Sequence, residues 1–256
     1  MEAMKLTEEL LEKNRSGWNA VAHHFNGKDA LPGYGPYAQS EEELQLFGEI
    51  AGKKVLDIGF GSGHSLKYMA EKGAAELWGV DFSEEQKELA EITLQDHLTH
   101  LFCAPMETDI GLPKAYFDYV YSIYAIGWTT DLPATFQLIY SYLKVGGSFI
   151  FSWDHPLYPH MKSEDGRFYL DASYQEEGML QFDNFKGEKK PMAFQRRKMS
   201  TYLNALITAG FTIERVIESD VPADLKDVKA EQSDGYYSLY KAQRFPAAMI
   251  IKAVKK

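Results

Sequence analysis

Asp57, Gly59, Gly61 and Gly63 stand at alternate positions in the stretch VLDIGFGSGHS, and Asp81 follows 22 residues after Gly59 in GVDFS. Glycines at such a place permit positive φ and let a ligand approach the backbone without meeting a Cβ. An acid about 20 residues further on reaches the two hydroxyls of a nucleoside ribose. Asp57 narrows the choice of nucleoside. A carboxylate ~4–6 Å from a pyrophosphate is repelled by about 2–4 kcal/mol at an effective dielectric near 20, and it attracts an ammonium or sulfonium group by a similar amount. The spacing is also G-x-G-x-G rather than the G-x-G-x-x-G of dinucleotide sites. A glycine turn beside an acid therefore suits a positively charged nucleoside, and S-adenosylmethionine has the ribose, the ammonium and the sulfonium with no phosphate.

The elements that must position these residues are legible around them. KKVLDIG reads as an apolar strand running into the glycine turn, and Ser65–Lys72 as the helix that leaves it. AELWGVDF is a second strand, ending at Asp81. Ser83 with Gln86 forms a capping-box pattern, opening a helix expected to reach about His97. HLFCA and YFDYVYSIYA are a third and fourth strand. Leu132–Leu143 is helical and expected to stop at the Gly146–Gly147 pair, and SFIFSW is a fifth strand. Such alternation predicts a parallel sheet covered by helices on both faces. After Trp153 the rhythm breaks into an aromatic, charged segment to about residue 198, expected to form a cover over the strand ends. KMSTYLNALITAG and FTIERVIES restore a helix and a strand, and AAMIIKAV supplies a last strand expected to run antiparallel at the sheet edge. The expected organisation is one α/β domain over 1–256: a helical arm at 1–50, a cofactor-binding core at 51–153, a substrate cap at 154–198 and completion of the sheet at 199–256.

VLDIGFGSG with GVDFS resembles the cofactor site of class I S-adenosylmethionine-dependent methyltransferases. APMETDIGLPKAYFDYVYSIYAIGW and LKVGGSFIFSWDHP resemble the small-molecule members of the type 11 methyltransferase domain. The likeness is strong over roughly residues 50–155 and weaker through RKMSTYLNALITAGFTIERVIESDVP. It implies a Rossmann-like, doubly wound seven-stranded sheet whose last strand is antiparallel. It also implies that Asp57 lies near the methionine amino group, that Gly59, Gly61 and Gly63 make room for the methionine and sulfonium portion, and that Asp81 holds the ribose. Phe82 would lie against the adenine, Pro105 and Met106 would wall it, and the Tyr124 carbonyl would face the ammonium group. Asp81 has a second reading, as a cap of the following helix, and Phe82 and Met106 have one as core side chains.

On the acceptor side, His155 in SWDHP stands on the same rim, as a general base or as a loop-shaping histidine before Pro156. Trp128 lines a substrate pocket or seals the fourth strand. Tyr34 belongs to an arm expected to fold over the cofactor, where it touches ligand or packs the lid, and Arg197 receives an anionic substrate group or is a solvated basic turn. No four-ligand metal spacing occurs: His23 and His24 are adjacent and expected to diverge on a helix. The net charge of −10 disfavours nucleic acid as partner, and SIYA lacks the Asn/Asp-Pro-Pro-aromatic signature of amino-methylating nucleic-acid enzymes. No apolar run approaches a membrane span, the N-terminal segment has no signal-peptide core, and the single cysteine excludes an intramolecular disulfide, so a cytoplasmic protein is expected. The predicted activity is methyl transfer to a small molecule. A protein that binds the cofactor without transferring methyl shares the same motifs, and a nicotinamide-dependent oxidoreductase shares all but Asp57.

Overall fold

The computed structural model describes residues 2–26, 31, 33–233 and 235–256. Helix α1 (Glu2–Val21) passes into a 3-10 turn (Ala22–His24), and α2 (Glu41–Leu44) precedes the sheet. Then follow β1 (Lys54–Ile58), α3 (His64–Glu71), β2 (Glu76–Asp81), α4 (Glu84–Thr93), β3 (Thr99–Cys103), β4 (Phe117–Ile123), α5 (Leu132–Tyr142) and β5 (Leu143–Asp154). Two hairpins come next, β6 (Met161–Glu164) with β7 (Arg167–Leu170), and β8 (Met179–Phe182) with β9 (Met192–Gln195). Helix α6 (Met199–Ala209), β10 (Phe211–Glu218), α7 (Leu239–Ala242) and β11 (Ala248–Lys255) complete the described chain.

The seven-stranded sheet has the order β10-β11-β5-β4-β1-β2-β3. Strands β1 to β5 are parallel to their neighbours among themselves, whereas β11 is antiparallel to both β5 and β10. The last strand is therefore antiparallel, as expected, but it is not at the edge: it fills the place between β5 and β10, and β10 takes the edge. Its sequence explains the position, because Ala248, Met249, Ile250 and Ile251 are all buried and need cover on both faces and both sides.

Two-residue periodicity sends neighbours on one strand to opposite cores. Leu56, Val120, Phe149 and Phe151 face α5 and α6 through Phe136, Ile139, Tyr202 and Leu206. Val55, Tyr121, Ile150 and Ile250 face the other way, against Leu66 and Met69 of α3 and Ala90 of α4, with Tyr34 and Phe47 of the N-terminal segment. Full burial of each valine, leucine, isoleucine, phenylalanine or methionine among these stabilises by roughly 1.5–3 kcal/mol.

Ser83 accepts the Gln86 N–H at 3.2 Å, and Asp131 accepts that of Ala134 at 3.0 Å, fixing the starts of α4 and α5. Gly210 ends α6 at φ +100°. Two boundaries differ from expectation. Helix α4 ends at Thr93, short of His97, with the Thr93 hydroxyl donating back to the Leu89 carbonyl. Helix α5 ends at Tyr142, and the two glycines at 146 and 147 fall within β5 rather than closing the helix.

Candidate active site

The chain crosses from the β3 edge back over β1 to lay down β4, so the C-terminal ends of β1 and β4 form the switch point of the sheet, the place where such sheets take ligands. The glycine turn sits there. Gly59, Gly61 and Gly63 have φ of +81°, +54° and +82°, a region that other residues enter only with strain. Each glycine has a different neighbour. A Cβ on Gly59 would lie 2.2 Å from Ala125 Cβ, beyond the end of β4, and one on Gly63 would lie 3.0 Å from Ala90 Cβ and Leu94 Cδ1. A Cβ on Gly61 would find only Gln86 Oε1, at 3.9 Å. Gly59 thus lets β1 and β4 close together, Gly63 lets the turn pack on α4, and Gly61 leaves room over the turn.

Asp81 grips this turn. Its Oδ2 accepts the Gly61 N–H at 2.9 Å and its Oδ1 accepts the Ser83 N–H at 3.0 Å, so the ribose candidate and the helix-entry reading coexist in one side chain. Each oxygen keeps acceptor capacity for a ligand hydroxyl. Burial pushes the Asp81 carboxyl up to about 6, against the opposing pull of the Ser83, Gly61 and Phe82 N–H groups. Asp57 is 1% exposed, and its Oδ1 has no hydrogen-bond partner among the described residues. Burial first, then the charge of Asp81, hold its carboxyl well above the ordinary range, while the Tyr121 phenol on β4 draws it down.

A buried acid with an unused oxygen beside a turn that leaves space is a fitting site for the cationic end of S-adenosylmethionine, and a poor one for a pyrophosphate. Phe82, Pro105 and Met106 are all partly buried just past the ends of β2 and β3, with Met106 also packed on the main core. Tyr124 follows β4 at φ +56°, its N–H bonded to the Ser152 carbonyl at 3.1 Å.

The N-terminal arm lies directly on these loops. Ser62 donates to the Phe25 carbonyl at 3.2 Å, and the Ser83 hydroxyl donates to Asn19 Oδ1 at 2.7 Å. Asn14 both donates to and accepts from the Ala193 backbone, at 2.7 and 2.9 Å, tying α1 to β9. Gly17 faces Met192 so closely that a Cβ would stand 2.4 Å from Met192 Cγ.

On the acceptor rim the structure reassigns several side chains. His155 is 8% exposed, its Nδ1 accepts the Leu157 N–H at 3.3 Å, and its Nε2 pairs with Glu218 Oε1 at 3.0 Å. Nε2 thus ties the end of β5 to the end of β10, and Nδ1 shapes the turn that follows β5, the arrangement of a loop-shaping histidine. Arg197 donates to the Gly127 and Thr129 carbonyls at 3.2 and 2.7 Å, stapling the turn that carries Trp128 rather than presenting a free anion site. Tyr34 is fully buried in the second core with its hydroxyl donated to Glu41, so it anchors the arm to the sheet as a packing side chain. Trp128 stays partly exposed, between Trp18 at 5.3 Å, Phe194 at 5.4 Å and Trp153 at 6.1 Å.

Sequence reading missed the most organised group on this rim. Asp154, at the end of β5, is 4% exposed and accepts three phenol hydroxyls: Tyr124 at 2.8 Å, Tyr237 at 2.6 Å and Tyr236 at 2.9 Å. Burial raises its carboxyl, and the tyrosine hydrogen bonds and the Lys241 charge hold the rise in check. The Tyr236–Tyr237 pair in a polar connection was the available signal.

Comparison with known proteins agrees with this geometry. Residues 36–216 match the family described as a methyltransferase domain. An uncharacterized protein of Haemophilus influenzae is 30% identical over 226 residues, covering 83% of this chain and 85% of that protein. A solved S-adenosylmethionine dependent methyltransferase from Mesorhizobium loti superposes with a TM-score of 0.71 at 26% identity, over 84% of this chain and 96% of that one. Phosphoethanolamine N-methyltransferase 3 of Arabidopsis thaliana is 32% identical over 137 residues, which are 51% of this chain but only 27% of that protein.

Proposed function

We propose that this chain, which belongs to the methyltransferase domain family and uses S-adenosylmethionine, methylates a small molecule held above the ends of β4 and β5. The observation that carries the reading is the pairing of a buried, partly unpartnered Asp57 with an Asp81 clamped by the glycine turn. S-adenosylmethionine supplies the transferable methyl group on a positively charged sulfur. Asp57 is assigned to the cationic methionine end, Asp81 to the ribose, and Phe82, Pro105 and Met106 to the adenine wall. Gly61 leaves space over the turn, and the Tyr124 carbonyl is assigned to the ammonium group.

An acidic pocket that only stabilised the bound cation would slow transfer, because ground-state binding alone does not lower the barrier. The protein's contribution is therefore alignment and exclusion of water. Helix α1 and the β8–β9 hairpin suit exclusion, since Asn14 locks them together over the rim. With His155 engaged elsewhere, the group placed to take a proton from an acceptor is Asp154, through the hydroxyl of Tyr124 or Tyr237. An acceptor that arrives already ionised would need no such step. The −10 net charge and the use of Arg197 on backbone carbonyls favour a small acceptor over a nucleic acid.

Incubating the protein with methyl-labelled S-adenosylmethionine and cell extract, then separating small from large products by ultrafiltration, tests the proposal. Label in the small-molecule fraction supports it. Label confined to protein or nucleic acid, or binding without any labelled product, refutes it.

A further inference from the structure

The three side chains of His23, His24 and Glu188 meet where the N-terminal arm touches the β8–β9 connection. Their ligand atoms all lie within 4.8 Å of one another. Adjacent histidines on a regular α-helix would point about 100° apart. Here, in the 3-10 turn Ala22–His24 that follows α1, side-chain rotation brings the two rings to 4.0 Å between centroids, tilted by 37°.

Glu188 reaches them from a tight turn closed by reciprocal Phe185 and Glu188 backbone hydrogen bonds of 3.0 Å. That turn is itself fastened to the arm: Phe185 stacks on Phe25 at 6.1 Å and meets Trp18 edge-on at 5.7 Å. Of the nearby lysines, Lys186 lies over the Phe25 ring at 5.5 Å, and Lys190 lines a separate cleft with Glu12 and Glu84.

From this juxtaposition we propose a divalent metal site, with His23 and His24 as nitrogen ligands, Glu188 as the oxygen ligand and water completing the shell. Two imidazoles and one carboxylate select a borderline ion of the zinc, cobalt or nickel class over magnesium or calcium. Ligands at ~2.0–2.1 Å from a tetrahedral ion stand about 3.4 Å apart, so the three donors need to close by little more than an ångström. The exposed His23 gives the ion a path from solvent. Once bound, the ion joins the end of α1 to the cap connection and reinforces the closed arm without touching the methyl-transfer residues.

Cobalt(II) is the direct probe. The wild-type chain should bind one equivalent with visible d–d absorption, and His23→Ala, His24→Ala or Glu188→Gln should each weaken binding about tenfold or more. Should a variant misfold, zinc protection in the wild-type chain decides. Zinc should slow diethylpyrocarbonate modification of the peptide bearing His23 and His24 while leaving that of His100 unchanged. Equal cobalt binding by wild type and folded variants, no binding, or no selective protection overturns the proposal. None of these readouts depends on the methyltransferase assignment.

Discussion

Asp57 and Asp81 sit at the ends of adjacent parallel strands, and one is satisfied while the other is not. Asp81 is held at both oxygens by backbone N–H groups, and its charge raises the already buried Asp57. Replacing Asp57 with Asn should therefore move stability and ligand affinity in opposite directions. We expect a gain of about 1–2 kcal/mol in unfolding free energy from relieved desolvation, seen as a higher thermal midpoint, and roughly tenfold weaker S-adenosylhomocysteine binding by calorimetry. A variant that loses stability and keeps its affinity contradicts the assignment.

Asp81 should give the ligand affinity a pH dependence. Its carboxyl titrates near 6 in the native state against 3.8 ordinarily, so it is raised. For an acid raised by folding, the unfolded chain loses its proton first. The native state is then progressively disfavoured between about pH 4 and pH 6, and the loss is constant above. Ligand hydroxyls need the ionised form, so S-adenosylhomocysteine affinity should fall as pH drops below about 6. Asp81→Asn should flatten both profiles, measured by thermal melts and calorimetry across that range.

His155 carries the opposite sign. Burial lowers its ring below the ordinary 6.5, with Glu218 acting against that shift. The unfolded chain therefore takes up the proton first as pH falls, and native stability declines below about 6.5. His155→Ala should remove that acid-side decline. It should cost about 1 kcal/mol at pH 8, where the Leu157 N–H loses its acceptor, and leave S-adenosylhomocysteine affinity within twofold. A large loss of affinity would return the residue to the ligand site.

The three glycines should not be equivalent. Gly59→Ala places a Cβ against Ala125 at 2.2 Å as well as straining a φ of +81°, and should destabilise by about 2–4 kcal/mol. Gly61→Ala meets open space and should cost only about 1 kcal/mol of backbone strain while weakening ligand binding. Adding Ala125→Gly should recover part of the Gly59→Ala loss but none of the Gly61→Ala loss. Chemical denaturation of the single and double variants gives the comparison.

The readable and unreadable parts of this protein divide by distance along the chain. Asp57 and the glycines reveal themselves because turn, strand end and acid lie within a few residues, and Asp81 because a strand and a helix of ordinary length set its interval. His155 is read from its own loop alone because its partner Glu218 is 63 residues away, and no local pattern announces the pair. Asp154 acquires its meaning only when Tyr236 and Tyr237 return from more than 80 residues downstream to meet Tyr124. Arg197 looks like a free charge until the turn at 127–129 is laid across it. Residues placed by their own turn are legible; residues defined by a distant partner are not.

The place of β11 between β5 and β10 bears on how the molecule is made. During synthesis β10 leaves the ribosome first, with its neighbour in the finished sheet still unmade. Until residues 248–255 emerge and slot in, the nascent chain carries two open, hydrogen-bond-hungry borders, one on β5 and one on β10. Translation must deliver the keystone late, and a pause before it would expose the borders to misassembly.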